Sequence, residues 1–131
     1  MKKTPLETFG QCYIEKVRDD AIEHWGAVFA GNIKGPEIMQ LSNLISQFTK
    51  ESQELIAMLI PKIIDSCLSR SLRLFEQEDR FQIFANEVNL VELSDGLVGE
   101  LYGSKGWIAR FSSQAHDEPI VLSTLRPPSS R

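Results

Sequence analysis

The chain has 131 residues and a mass of 14.8 kDa, a length that suits one domain. Apolar residues make up 42% and charged residues 24%, an ordinary globular composition that excludes wholesale disorder and a disulfide scaffold. The 14 basic and 18 acidic side chains give a net charge of −4 with no basic arm. Nucleic acid is therefore disfavoured as a partner, because proteins that bind it carry a basic footprint.

No stretch of the sequence is typical of a membrane span, a signal peptide or a metal site. The basic start runs into Glu7 without an apolar core, and the longest apolar stretch, 55–60, is far below the roughly 20 residues that cross a bilayer. Cys12 and Cys67 form no Cys-x-x-Cys pair, which leaves zinc and redox sites without support. We expect a cytoplasmic protein with no cofactor, no metal and no membrane partner.

The first helix is predicted from Thr4 to about residue 30. Thr4 suits the N-cap, Pro5 the first helical position and Glu7 the third position of a capping box. Apolar residues then recur at spacings of three and four as far as Phe29, and Gly31 is typical of a helix end.

A second helical region is predicted from Pro36 to Gln77. Its apolar residues alternate in steps of four and three, beginning with Leu41, Ile45 and Phe48. Forty residues is long for one helix of a small domain, so we expect breaks near Thr49 and Pro61 and two or three helices in all.

After Arg80 the pattern changes and indicates strands. Alternating apolar residues and the turn sequences Asp95-Gly96 and 103–106 predict four strands, over 81–85, 88–93, 98–102 and 107–111. Helices followed by strands indicate an α+β fold, here three to four helices packed on an antiparallel meander of about four strands. The single domain is predicted to span 1–126, with an edge strand at 120–122 and a flexible tail at 127–131.

The predicted hairpin register divides the meander into two faces. Glu100, Tyr102 and Trp107 share the face turned towards the helices, which is otherwise apolar. The opposite face leaves four side chains exposed as a candidate interface: Leu97, Leu101, Ile108 and Arg110.

Glu100 is the one charged residue on the predicted apolar face. Burial there would raise its pKa, as in a general acid, and a ligand pocket would include Tyr102, Trp107, Arg70 and Arg73. The simpler interpretation is that Glu100 pairs with Arg70, Arg73 or Arg80, or lies at the sheet margin.

Acidic side chains follow one another along the first helix at Glu15, Asp19, Asp20 and Glu23. They are interpreted as a solvated face or a protein-binding face, because a carboxylate metal site needs matching ligands on a second helix. The sequence contains no Gly-x-Ser-x-Gly or Ser-x-x-Lys motif and no phosphate-binding glycine loop.

By elimination, the sequence favours a non-enzymatic module that binds another protein. One concrete form is a bacterial immunity protein or antitoxin that neutralises a basic toxin domain through its acidic face. The alternative is a small-ligand-binding or enzymatic domain with its pocket around Glu100. A homodimer is a third hypothesis, because the apolar steps over 41–59 are close to a heptad pattern.

Overall fold

The structure, a computed structural model, describes residues 3–114. Its helices are α1 (Pro5–Tyr13), α2 (Asp19–Phe29), α3 (Pro36–Ser46), α4 (Lys50–Gln77), α5 (Leu90–Leu93), α6 (Leu97–Glu100) and α7 (Trp107–Phe111). A π-helical turn, Ile14–Arg18, joins α1 to α2, and strands β1 (Phe84–Ala85) and β2 (Val88–Asn89) form an antiparallel pair between α4 and α5.

The predicted first helix is confirmed and begins with the expected capping box. The Thr4 hydroxyl accepts from the Glu7 backbone N–H at 3.1 Å, and the Glu7 carboxylate accepts from the Thr4 N–H at 3.2 Å. The π-helical turn was not predicted. It buries two neighbouring residues, Arg18 and Asp19, which places charged groups against the interior.

The second helical region forms two helices, as predicted, with the break at Thr49. The Thr49 hydroxyl accepts from the Ser52 N–H at 3.1 Å and caps α4. No restart occurs at Pro61, because α4 continues through it to Gln77.

The prediction of an α+β fold with a four-stranded meander is wrong. Within residues 3–114 the sheet has two strands of two residues each, and the other predicted strands are short helices. The β1–β2 turn places Asn86 and Glu87 at φ 51° and 65°, the positive values that a tight hairpin turn requires.

The segment around Asp95-Gly96 starts a helix instead of a hairpin. Gly96 is the N-cap residue of α6, and the Val98 N–H donates to the Glu76 carboxylate of α4 at 2.9 Å. Apolar runs of four or five residues fit a helix as well as a strand, so this contact with α4 decides the outcome. The predicted edge strand at 120–122 and the tail at 127–131 lie outside the described residues.

The core lies where α1, the π-helical turn and the second half of α4 meet α5, α6 and α7. Its buried residues are Ile14, Leu68, Leu72, Leu90, Leu97, Leu101, Trp107 and Ile108. Trp107 packs edge-on against Phe9, with ring centroids 5.8 Å apart, and lies directly against Gly10 of α1. The first half of α4 and all of α3 lie outside this core.

Candidate functional site

An open apolar groove lies between α2, α3 and the first half of α4. Its volume is about 490 Å³, and its lining residues, all apolar, are Trp25, Phe29, Leu41, Leu44, Ile45, Phe48, Ile56, Ile60, Ile63 and Ile64. The heptad-like spacing on α3 and α4 turns these side chains to one side of the hairpin. We call these ten residues the groove.

The rim of the groove is exposed to an unusual degree for large apolar side chains. Leu44 is 50% exposed, Phe48 48% and Ile63 58%. Further exposed apolar side chains on the same two helices are Met39, Met58 and Leu59. Exposed apolar side chains around a groove are typical of interaction sites, because a water-exposed apolar face carries a free-energy cost that a partner removes.

Helix α3 has little support from the other residues of 3–114. It has 11 residues, and only Ile45 among them is buried. Its N-cap is Gly35, which provides no side-chain hydrogen bond. Helices this short are marginal in water and depend on burying an apolar face. The face of α3 that remains available for such burial is the rim of the groove.

The part of the chain that contains α3 and the first half of α4 is electrically neutral. Residues 34–63 contain three lysines and three glutamates, namely Lys34, Lys50, Lys62, Glu37, Glu51 and Glu54. The whole chain, by contrast, has a net charge of −4. This part of the chain therefore has no excess of one sign to attract an opposite field.

A second notable cluster lies at the π-helical turn and has a structural role. The fully buried Arg18 guanidinium donates to both carboxylate oxygens of Asp65, at 2.6 and 3.3 Å, and to Asp19 at 3.3 Å. Nη1, which bonds Asp19, also donates to the Ser112 hydroxyl at 2.9 Å and to the Gln114 carbonyl at 3.1 Å. The cluster therefore ties α4 and the segment after α7 to the first helix.

The predicted exposed face of the meander does not exist, because three of its members lie in the core. Leu97, Leu101 and Ile108 are buried against α1 and α4, and the short helices that carry them pack their apolar sides inward. Arg110 is exposed and donates to Glu7 at 3.1 Å, with its guanidinium 4.8 Å from the Phe111 ring centre. The interface predicted from these four residues loses the surface on which it depended.

The predicted acidic face is reduced to three exposed members, Glu15, Asp20 and Glu23. Asp19 is buried, and its carboxylate accepts from the Ser112 hydroxyl at 2.7 Å and the Ser113 N–H at 2.8 Å. Its place next to Arg18 in the π-helical turn, which periodicity did not reveal, removes it from the surface.

The predicted pocket around Glu100 is not assembled either. The half-buried Glu100 carboxylate accepts from the Ser94 hydroxyl at 2.7 Å, while the exposed Arg70 donates to Ser66 of its own helix. Arg73 is also exposed.

The two aromatic residues of that predicted pocket differ in exposure. Tyr102 is on the surface, where its hydroxyl bonds Ser69 and donates to the Asp65 carbonyl at 3.4 Å. Trp107 is in the core, and its Nε1 has no hydrogen-bond partner among residues 3–114. No sheet lies above the helices to close a pocket over these side chains, since the sheet described consists of β1 and β2 alone.

The groove follows in part from the apolar steps that begin at Leu41, Ile45 and Phe48, which the sequence assigns to one face of a helix. Periodicity does not show whether other parts of the chain cover that face. Trp25 and Phe29 complete the groove from α2.

Similarity to known proteins gives no information on the function of this chain. No family model, curated protein or solved structure matches this chain. Among residues 3–114, no helix combines the length and the apolarity needed to cross a membrane. The same residues contain no cluster of three or more histidine, cysteine or acidic side chains placed to hold a metal ion.

Proposed function

We propose that this protein is a protein-binding module whose groove accepts the apolar face of a helix from a second polypeptide chain. The observation that carries the proposal is the groove with its exposed rim, formed by ten apolar side chains from α2, the α3–α4 hairpin and the turn within it. Amphipathic helices bind in grooves of this kind through anchors at positions i, i+3, i+4 and i+7.

The apolar lining favours a protein over a small molecule. A volume of about 490 Å³ is within the range of ligand pockets, but such pockets orient their ligands through a few placed polar groups. The lining side chains supply none, and the polar residues of the predicted Glu100 pocket do not line the groove. A helix needs no such groups, because its backbone is already hydrogen-bonded.

The test is selection of binding helices from a displayed library of amphipathic peptides, with the protein immobilised at low density. Leu44→Glu and Ile63→Glu place a carboxylate on opposite walls of the groove. Each should weaken the selected helices at least about tenfold, or about 1.4 kcal/mol of binding free energy.

Phe84→Glu is the matched control. Phe84 is 56% exposed on β1, outside the groove, so a carboxylate introduced there in place of an exposed apolar side chain should leave binding unaltered. Selected helices that bind the Leu44→Glu variant as tightly as the unmodified protein would contradict the proposal. So would a failure to enrich any helix while the protein sediments as a monomer.

Neutralisation of a toxin domain remains a narrower hypothesis within protein binding. Its support is the exposed group Glu15, Asp20 and Glu23, which lies along the first helix and not in the groove. A basic toxin domain held there would dissociate on Glu15→Gln and Glu23→Gln and would be indifferent to Leu44→Glu.

A further inference from the structure

We infer that the polypeptide that covers the groove is a second copy of this chain, in a two-fold symmetric dimer formed by the α3–α4 faces. The inference rests on the proposed function, because it names the occupant of the same groove. Three features of that face support it: its shape, its charge and the weak internal support of α3.

The face carries both a depression and the ridges that would fill one. Leu44, Phe48 and Ile63 line the groove, yet about half of each side chain is exposed. In a two-fold dimer the same patch meets itself, so ridges of one copy must enter the groove of the other, and the reverse. A face that combines a groove with protruding apolar side chains satisfies this condition within one patch.

The charge of the face also suits a second copy. A patch with an excess of one sign repels itself across a two-fold axis, because like charges come together. Residues 34–63 carry three positive and three negative side chains, which sum to zero. This balance lies within a chain whose net charge is −4, so the face is neutral where the rest of the molecule is acidic.

The weak support of α3 favours a partner that is always present. With Ile45 as its one buried residue and no side-chain cap, α3 gains little stability from the other residues of 3–114. A partner that is synthesised only under some conditions would leave α3 and the groove rim exposed to water whenever it is absent. A second copy is present wherever the protein is made, so it can cover this face permanently.

The deciding experiment is sedimentation velocity on the full chain at protein concentrations from about 1 to about 100 µM. We expect twice the chain mass of 14.8 kDa at the upper end. Leu44→Glu and Ile63→Glu should each weaken the dimer at least tenfold, whereas Phe84→Glu should sediment as the unmodified protein does. Circular dichroism on each variant separates a lost contact from a lost fold.

Trp25 provides a second readout that belongs to the groove itself. Trp25 lines the groove and is half-buried, whereas Trp107 is buried in the core. Dilution should therefore shift the tryptophan emission to longer wavelength as Trp25 becomes hydrated. Trp25→Phe should abolish that shift, because the emission of Trp107 does not depend on the dimer.

Two results would overturn the inference. One is a monomer at every concentration, and the other is a dimer that Leu44→Glu and Ile63→Glu leave intact. The proposed function survives the monomer if selected helices bind the groove of the unmodified protein and not that of the Leu44→Glu variant. A monomer that also binds no helix would end both proposals.

Discussion

The buried guanidinium of Arg18 is the residue on which the joint between the first helix and α4 depends. Asp65 of α4 and the neighbouring Asp19 are both almost fully buried beside it. Arg18→Met would leave two carboxylates in the interior without their counter-ion, a change that typically costs about 3–5 kcal/mol. We expect a loss of that size in the free energy of unfolding, measured by urea denaturation at one fixed protein concentration.

An exposed ion pair serves as the control for this prediction. Arg80 lies 2.8 Å from Glu78 on the surface, and Arg80→Met should leave the unfolding free energy unchanged within error. The double variant Arg18→Met, Asp65→Leu should lose less than the sum of the two single changes, because it removes both members of the pair. Additive losses would show that the two side chains act independently.

Two glycines in the first helix should respond to alanine in opposite directions. A Cβ on Gly10 would collide with the indole of Trp107, and the contact of that indole with Phe9 limits its movement. Gly10→Ala should therefore lower the free energy of unfolding by about 1–3 kcal/mol. A Cβ on Gly26 meets no atom within 4 Å, so Gly26→Ala should stabilise by about 0.5–1 kcal/mol. Thermal unfolding of both variants measures the difference, and equal shifts would contradict the packing of Trp107 on α1.

At the scale of elements, the capping box of α1 also holds α7. Hydrogen bonding to the Thr4 backbone, and then to Arg110 beside Phe111, lowers the pKa of Glu7 below its ordinary value of 4.5. A carboxylate with a lowered pKa in the folded state stabilises the protein above its ordinary pKa, and this contribution is lost as the pH falls through the folded-state pKa. Glu7→Gln should therefore destabilise the protein at neutral pH and make little difference in strong acid.

Urea unfolding of the unmodified protein and of Glu7→Gln, from neutral pH to strong acid, measures the effect. Arg110→Met should remove part of the difference between the two proteins, because Arg110 is the second cause of the lowered pKa. A difference between the unmodified protein and Glu7→Gln that stays constant with pH would show that the charge of Glu7 does not stabilise the fold.

Local chemistry at helix ends made three element boundaries predictable. Each of these boundaries depends on backbone groups only a few residues away. They are the start of α1 at Thr4, Pro5 and Glu7, the start of α3 at Gly35 and Pro36, and the break at Thr49. The region after Arg80 was mispredicted because its runs are short and the deciding contact is distant. The Glu76 side chain that caps α6 comes from α4, 22 residues before Val98.

The candidate site was predictable in part of its residues but not in its exposure. The apolar steps that begin at Leu41, Ile45 and Phe48 identify part of the groove lining, and the steps over 41–59 gave rise to the homodimer hypothesis. Periodicity states which side chains share a face, but not whether the same chain covers that face. That depended on α5, α6 and α7, which pack on α1 and the second half of α4, so that among residues 3–114 the main core does not include α3.

At the scale of the whole molecule, a dimer ties folding to concentration. If α3 and the groove rim are covered only by a second copy, unfolding releases two chains, and mass action raises the stability of the dimer with concentration. The midpoint of thermal unfolding should therefore rise over a hundredfold increase in protein concentration, for the unmodified protein and for Phe84→Glu. Leu44→Glu should unfold at one temperature throughout, and a midpoint independent of concentration in all three proteins would contradict the dimer.

Ionic strength separates an apolar dimer from an electrostatic complex. Salt screens charges beyond about 10 Å at 0.1 M and beyond about 3 Å at 1 M, so a complex held by opposite charges weakens as salt is added. The groove face sums to zero charge, and its apolar contacts do not depend on screening. The dissociation constant of the dimer should therefore change less than about threefold between about 0.1 and about 1 M sodium chloride, measured by sedimentation equilibrium. A loss of tenfold or more would mean that ion pairs between opposite charges hold the two chains together, and that the groove does not.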